Sequence, residues 1–480
     1  MKPQTDRRNT ARSSNDPLSA ASKSMTENQE PKLTPARNNP WYVLMTVAGE
    51  QPEKSEVDKD LHDKNRRFWN ALQSSSLTDS ERSRLSEINR IDQFNEEPLS
   101  EDEKSLVLSA LKSRIDLDEI PPLNEKMEMN DLDFDRPFCC NGYLFRRWLS
   151  LRNVSFDTSS EFSDAVFLGG VSFVDSDFQV GVDFERTYFS NAEFHGTKLG
   201  YAFFDEAIFQ THTNFPRSQF ICARFVDAIF KSSVNFDDAV FLQSADFNRT
   251  NFGGYAHFKG IVSIASEFSF SDAVFKSSLS ITKAVFIKDK TVPPAFFNAI
   301  LHEDTDLDGI TWPPVPRDKE KARLHRRSYE KLKLLMASAN KKADEHMFLR
   351  LELRCRESEQ PRTVSSLISR LYGLFSDYGW SVNRPLLMLI LTWLTGGAAL
   401  WASEILQARE IHDTPLSLAQ STALSFSNIF SFLGLSRHLM KDEILSLSSL
   451  GEIISVFQMI LGPVFLFLLI LGLRNRYRLP

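Results

Sequence analysis

A phenylalanine recurs along this chain at a spacing that neither a helix nor a flat strand uses. Steps of five or six residues from Phe156 to Phe286 reach 25 positions, and 22 of them are Phe. The other three are Leu199, Ile264 and Ile281. The residue two places earlier is nearly always small or β-branched, as at Ala165, Val171, Ala192, Ala223 and Ala245; Phe268 and Leu279 are exceptions. One hexad returns almost unchanged, as Phe162-Ser-Asp-Ala-Val-Phe167, Phe225-Val-Asp-Ala-Ile-Phe230 and Phe270-Ser-Asp-Ala-Val-Phe275. Helices repeat every 3.6 residues and strands every two, so a period near five asks for a chain that turns a corner at each repeat. Such coils bury a core only when stacked. The rings then fill the interior, and the small residue sits where the backbone turns. Paired acids such as Asp237 and Asp238 fall at the corners, where Asp suits a turn.

These residues resemble the pentapeptide-repeat family, whose unit is A-(N/D)-L-x-x with Leu or Phe at its centre. The likeness implies a right-handed, quadrilateral parallel β-helix over 151–290 with about four units per coil, hence about six coils. Some members imitate DNA by charge and shape, which makes a DNA-mimic inhibitor a remote alternative. Residues 153–290 hold 17 acidic and 11 basic residues, a thin acidic excess for that role. No nucleic-acid partner is expected.

The flanking segments differ. Residues 1–40 are polar, lack apolar periodicity and read as a disordered tail without a secretory h-region. Residues 41–135 read as a mostly helical module, with a capped start at Leu77-Thr-Asp-Ser-Glu. Four Cys in 480 residues exclude a disulfide-stapled scaffold. Residues 316–360 form a basic amphipathic helix with Leu332, Leu335, Met336, Ala339, Ala343, Met347 and Leu351 on one stripe. It would lie on lipid headgroups, or pack on the rod or on further copies of itself. His325 and His346, with no second ligand at metal spacing, read as surface residues.

The mean hydropathy of −0.27 hides a membrane hairpin at 385–473. Residues 385–403 and 453–473 carry no charge, and each is long enough to cross a hydrocarbon core of about 30 Å. Arg370 and Arg384 precede the first run, and Arg474, Arg476 and Arg478 follow the second. The loop between holds only Arg409, Arg437 and Lys441 as basic residues. By the positive-inside rule both termini are cytoplasmic, in an expected bacterial inner membrane.

Residues 414–435 are uncharged, apolar and Ser-rich, like a re-entrant loop. The order span, apolar dip, span resembles the two-helix pore-loop ion channels. The potassium filter Thr-Val-Gly-Tyr-Gly is absent, so the resemblance implies architecture without potassium selectivity. Ser425, Ser427, Asn428 and Ser431 are the candidate pore lining, and Glu404, Asp442, Glu443 and Glu452 the candidate outer-mouth acids. No catalytic, metal-binding or cofactor-binding motif is present. The expected partners are membrane lipid, further copies of the chain, and a protein on the β-helix. The rival reading is a non-conducting, membrane-tethered scaffold.

Overall fold

The computed structural model describes residues 33–53, 57–94, 97–287, 293–360, 363–411, 416–434, 440–445 and 447–477. At its centre the chain winds through four short faces per coil. Ser155–Phe156, Ser160–Glu161, Val166–Phe167 and Val171–Ser172 lie on successive faces, and Asp177–Asp183 opens the next coil. Coils pair in parallel: Phe156 lies beside Phe178, Phe167 beside Phe189 and Val171 beside Ala192. One face stacks eight strands, from Met127–Glu128 to Leu279–Ser280. Seven spacings of about 4.8 Å give a rod about 34 Å tall.

That is about seven turns rather than six, and the rod starts at Met127 rather than 151. The inner positions of its first coil are Met129, Phe134, Cys140 and Phe145, and Leu151 begins the next coil; all are buried. The five-or-six spacing therefore continues upstream with Met, Cys and Leu in place of Phe. At the other end, single bridges at Ala295, Ile300, Asp306 and Thr311 add an irregular final coil.

Inside, the rings form columns. Phe167, Phe189, Phe209, Phe230, Phe252 and Phe275 stack at 4.5–5.4 Å with planes within 8°. Neighbouring columns meet edge to face, as Phe204 meets Phe215 at 5.6 Å and 83°. The third residue of the hexad turns the corner in left-handed backbone, with φ of 60° at Asp164 and 58° at Asp227, Asp238 and Asp272. Asp adopts this conformation more readily than most non-Gly residues. Arg186 and Arg249 occupy equivalent corners and pair with Asp164 and Asp227, one coil away, at 2.9 and 2.6 Å.

One inner position breaks the rule. Phe241 pairs with Ser263, so Ile264 falls off the inner register and is only half-buried. The vacancy left by Ser263 is filled from the next face: Phe268 stands where other coils carry a small residue, 5.2 Å from Phe241 and edge-on to it.

Helices close both ends. Residues 1–32 lie outside the described residues, but 33–40 are not a free tail. Thr34–Pro35 pairs with Leu132–Asp133, and Asn39 caps helix α1 (Pro40–Met45). Helices α2 (Lys59–Ser74), α3 (Asp79–Glu87) and α4 (Glu101–Arg114) follow. Thr78 and Glu81 form the capping box at α3. On α2, the Asn70 side-chain oxygen accepts the Leu144 N–H at 2.9 Å, and Trp69 Nε1 donates to Leu144 O at 2.8 Å. These side chains satisfy backbone groups at the open end of the seven-stranded face.

Below the last coil, the expected single helix over 316–360 is two antiparallel helices, α5 (Lys319–Ser338) and α6 (Lys342–Glu359). The reversal is a Schellman cap. Lys341 N–H bonds Met336 O, Asn340 N–H bonds Ala337 O, and Asn340 is left-handed at φ 55°. The apolar stripe faces the rod: Tyr329, Leu332, Met336 and Phe348 join its core through Trp312. His325 is buried rather than on the surface.

Candidate functional site

Beyond the cap the chain enters α7 (Val364–Ser376), α8 (Asn383–Ile411), α9 (Leu418–Ile429), a 3₁₀ turn Ser431–Leu433, α10 (Lys441–Leu445) and α11 (Ser449–Tyr477). Residues Asn383–Leu406 of α8 and all 29 of α11 are long and apolar enough to cross a membrane. Their ends meet pairwise. Asn475 Nδ2 donates to Gly379 O at 2.9 Å near the start of α8, and Glu404 contacts Ser448 at the other end. The two helices therefore form an antiparallel hairpin with the rod joined at one end.

Helix α9 is wedged into this hairpin. Its N-cap Ser417 and Gln420 form a capping box. Gly462 makes room for its last turn, because a Cβ there would fall 2.5 Å from Ile429 O. Gly396 faces Gln458 and Ser425, and Gly397 faces Thr422. These three glycines fit the small-residue helix contacts favoured in lipid. Residues 414, 415 and 435 of the sequence-defined loop lie outside the described residues.

The polar side chains of α9 point into the seam. Ser425 Oγ donates to Trp393 O at 2.7 Å and accepts from Gln458 Nε2 at 2.6 Å. Asn428 Nδ2 donates to Gln458 Oε1 at 3.3 Å, while its own side-chain oxygen is buried without a partner among the described residues. Ser427 Oγ bonds Leu424 O on its own helix at 2.8 Å. Ser425, Ser427 and Asn428 are thus packed inside the hairpin rather than along an open wall. Ser431 is half-buried in the 3₁₀ turn. The hub of the seam is Gln458, which also donates to Thr392 O at 3.1 Å. Its signal in the sequence is that it is the one amide in the uncharged run 453–473.

The acids divide. Glu404 is buried and accepts from Ser448 N at 2.9 Å and Ser448 Oγ at 2.7 Å, so it caps α11 rather than facing solvent. Glu452 is exposed in the first turn of α11, and Glu443 is half-buried. The Asp442 side chain and Arg478 lie outside the described residues. Among the basic residues, Arg370, Arg384, Arg474 and Arg476 are exposed at the rod-side end. Arg384 also donates to Gly373 O at 3.0 Å, at the end of α7.

The joint between rod and hairpin was not legible in the sequence. Asp377, Tyr378 and Gly379 are consecutive left-handed residues, with φ of 49°, 56° and 80°. Asp377 accepts from Arg350 at 2.6 Å and Arg354 at 2.9 Å, both on α6. Burial opposes ionisation of Asp377, but the Arg350 hydrogen bond and the two guanidinium charges outweigh it and hold the carboxyl below its usual range. Tyr378 and Ser369 both donate to Glu357, at 2.9 and 2.7 Å.

A second site lies at the other end of the rod. An open polar cleft of about 1020 Å³ separates α2 from the first coils, lined by His62, Arg66, Arg90, Asn141, Glu161 and Asp164. Among the described residues no three His, Cys, Asp or Glu side chains are grouped to hold a metal.

Four-faced coils of parallel strands, with a large residue at nearly every inner position, make a β-solenoid of about seven turns, joined here to two helices able to span a membrane. No family model matches the chain, and no curated protein matches it. Among solved structures it is similar to HetL, a pentapeptide repeat protein involved in heterocyst differentiation regulation from the cyanobacterium Nostoc sp. strain PCC 7120. Identity is 14%, over 39% of this chain and 92% of that one, with a TM-score of 0.17. The class of fold rests on the coil geometry rather than on that likeness.

Proposed function

We propose that the chain is one protomer of a membrane-embedded, channel-like oligomer without catalytic activity. Its rod, on the cytoplasmic side, receives a protein partner and transmits that binding through the α6–α7 joint. The observation that carries this reading is α9. A short, capped, uncharged helix is held between two long apolar helices and followed by a turn at Ser431–Leu433. Non-helical backbone at membrane depth is tolerated only against protein or a water-filled cavity. Several copies placed around an axis supply such a cavity. Ser431, half-buried outside the packed seam, is the candidate lining residue not committed to it, and Glu452 is the exposed acid able to concentrate cations at its mouth. The test is ion flux in liposomes holding correctly inserted protein. Conduction that appears under at least one gating condition supports the reading; no conduction under any of them overturns it.

The polar cleft beside α2 favours a second reading, a tethered scaffold whose rod captures a protein there. Charge reversal at Arg66 and Arg90 should then abolish capture of the partner while leaving membrane insertion unchanged. Retained capture would remove the cleft from the account.

A further inference from the structure

Helix α7 carries its apolar face outward. Val364, Leu367, Ile368, Leu371 and Leu374 are all exposed, Val364 at 75% and Leu374 at 62%. At 100° per residue they cover an arc of about 120°, with Arg370 at its border. The serine-bearing side faces the protein. Ser366 and Ser376 are buried and Ser369 bonds Glu357, whereas Phe375, at the C-terminal end of the apolar arc itself, packs on Phe465 of α11 at 5.3 Å. Water does not favour such an inverted helix, because a stripe this wide is ordinarily buried.

The surroundings decide what covers it. Seven residues after α7 ends, α8 begins, and its exposed Leu386, Leu387 and Ile390 extend the apolar surface. The exposed Arg370, Arg384, Arg474 and Arg476 lie at the same end of the hairpin. An apolar arc bordered by arginine, continuous with a spanning surface, matches the interface between headgroups and acyl chains. We propose that α7 is an interfacial membrane helix, embedded at the cytoplasmic boundary of the bilayer. The basic amphipathic segment α5–α6, by contrast, spends its apolar stripe on the rod. This inference rests on the two long helices spanning the bilayer. It would make α7 the point where lipid meets the Asp377 joint.

The full chain in liposomes can be labelled with two photoreactive phospholipids. One carries its diazirine near the glycerol and the other near the acyl terminus. Peptides are then mapped by mass spectrometry. Residues 364–376 should label with the shallow probe and little with the deep one, while the peptides of α8 and α11 label with both. Labelled α8 and α11 beside an unlabelled α7 would overturn the proposal and indicate a protein cover, such as a second copy. Unlabelled α8 and α11 would instead overturn the spanning reading on which it rests. As a second readout, Leu367→Glu with Leu371→Glu should abolish the shallow labelling while labelling of the two spans persists. Unchanged shallow labelling would count against the assigned face.

Discussion

Each inner face of the rod sets one ring on another a coil away, so a single side chain touches partners above, below and across. Phe225 lies 4.6 Å from Phe204 and 4.9 Å from Phe247, with a T-shaped contact to Phe236 at 5.6 Å. Truncation leaves a void lined by rigid rings that cannot collapse. Phe225→Ala should therefore destabilise the rod by about 3–5 kcal/mol, read as a shift in the denaturation midpoint at unchanged slope. A sharper case is Ser263 with Phe268. Either change alone, Phe268→Ala or Ser263→Phe, should destabilise, the first by a cavity and the second by overpacking. The double variant restores the ordinary pattern, so its cost should be smaller than the sum by about 1–3 kcal/mol, measured as a double-mutant cycle. Strict additivity would contradict the exchange. The regular rings were legible because they repeat. This exchange was not, because Ile264 offers an apolar residue at the expected step while the backbone places Ser263 inside.

Among the elements, helices α5 and α6 gave the least warning. Their apolar residues keep three- and four-residue steps across Ala339 and Ala343, so periodicity alone runs straight through the reversal. In the sequence the Schellman cap is marked by Asn340, a residue type that tolerates the left-handed backbone it adopts here. Folding back buries His325. Burial, and then the nearby Lys321 charge, lower its pKa to about 4, from the usual value near 6.5. The folded state thus binds this proton less readily than the unfolded chain. The sign is that stability is fully retained above pH about 6.5 and declines as pH falls toward 4. His325→Leu should flatten that slope in thermal melts between pH 4 and 7; an unchanged slope would remove His325 as its source. In the hairpin, Gln458 ties α11 to Thr392, Ser425 and Asn428. Gln458→Leu should weaken the packing of α9 by about 1–2 kcal/mol, read as faster proteolysis of the 414–435 segment in detergent. The sequence offered the serines as lining, whereas the structure uses Ser425 and Asn428 as ties, because a polar group in an apolar seam must find a partner there.

For the whole molecule, the order of parts was legible and their joints were not. Helices pack at both ends of the solenoid, as terminal caps do in repeat folds, and at one end Trp69 and Asn70 satisfy the outermost strand's backbone at Leu144. Its lower cap continues through Arg350, Arg354 and Asp377 into the hairpin, so rod and membrane segment share a short charged joint. Asp377→Asn keeps the shape but removes the charge, and should loosen this joint while leaving the melting of the rod unchanged. Limited proteolysis between residues 360 and 383 should then accelerate, and an unaltered cutting rate would show that Asp377 is not what holds the joint. Such a joint is useful if several rods act on one pore. A pore of this kind needs several copies of the chain, and the mass of the intact protein in lipid nanodiscs counts them. A single species of four copies is the expected result. A uniform monomer or dimer would contradict the pore and leave a tethered rod.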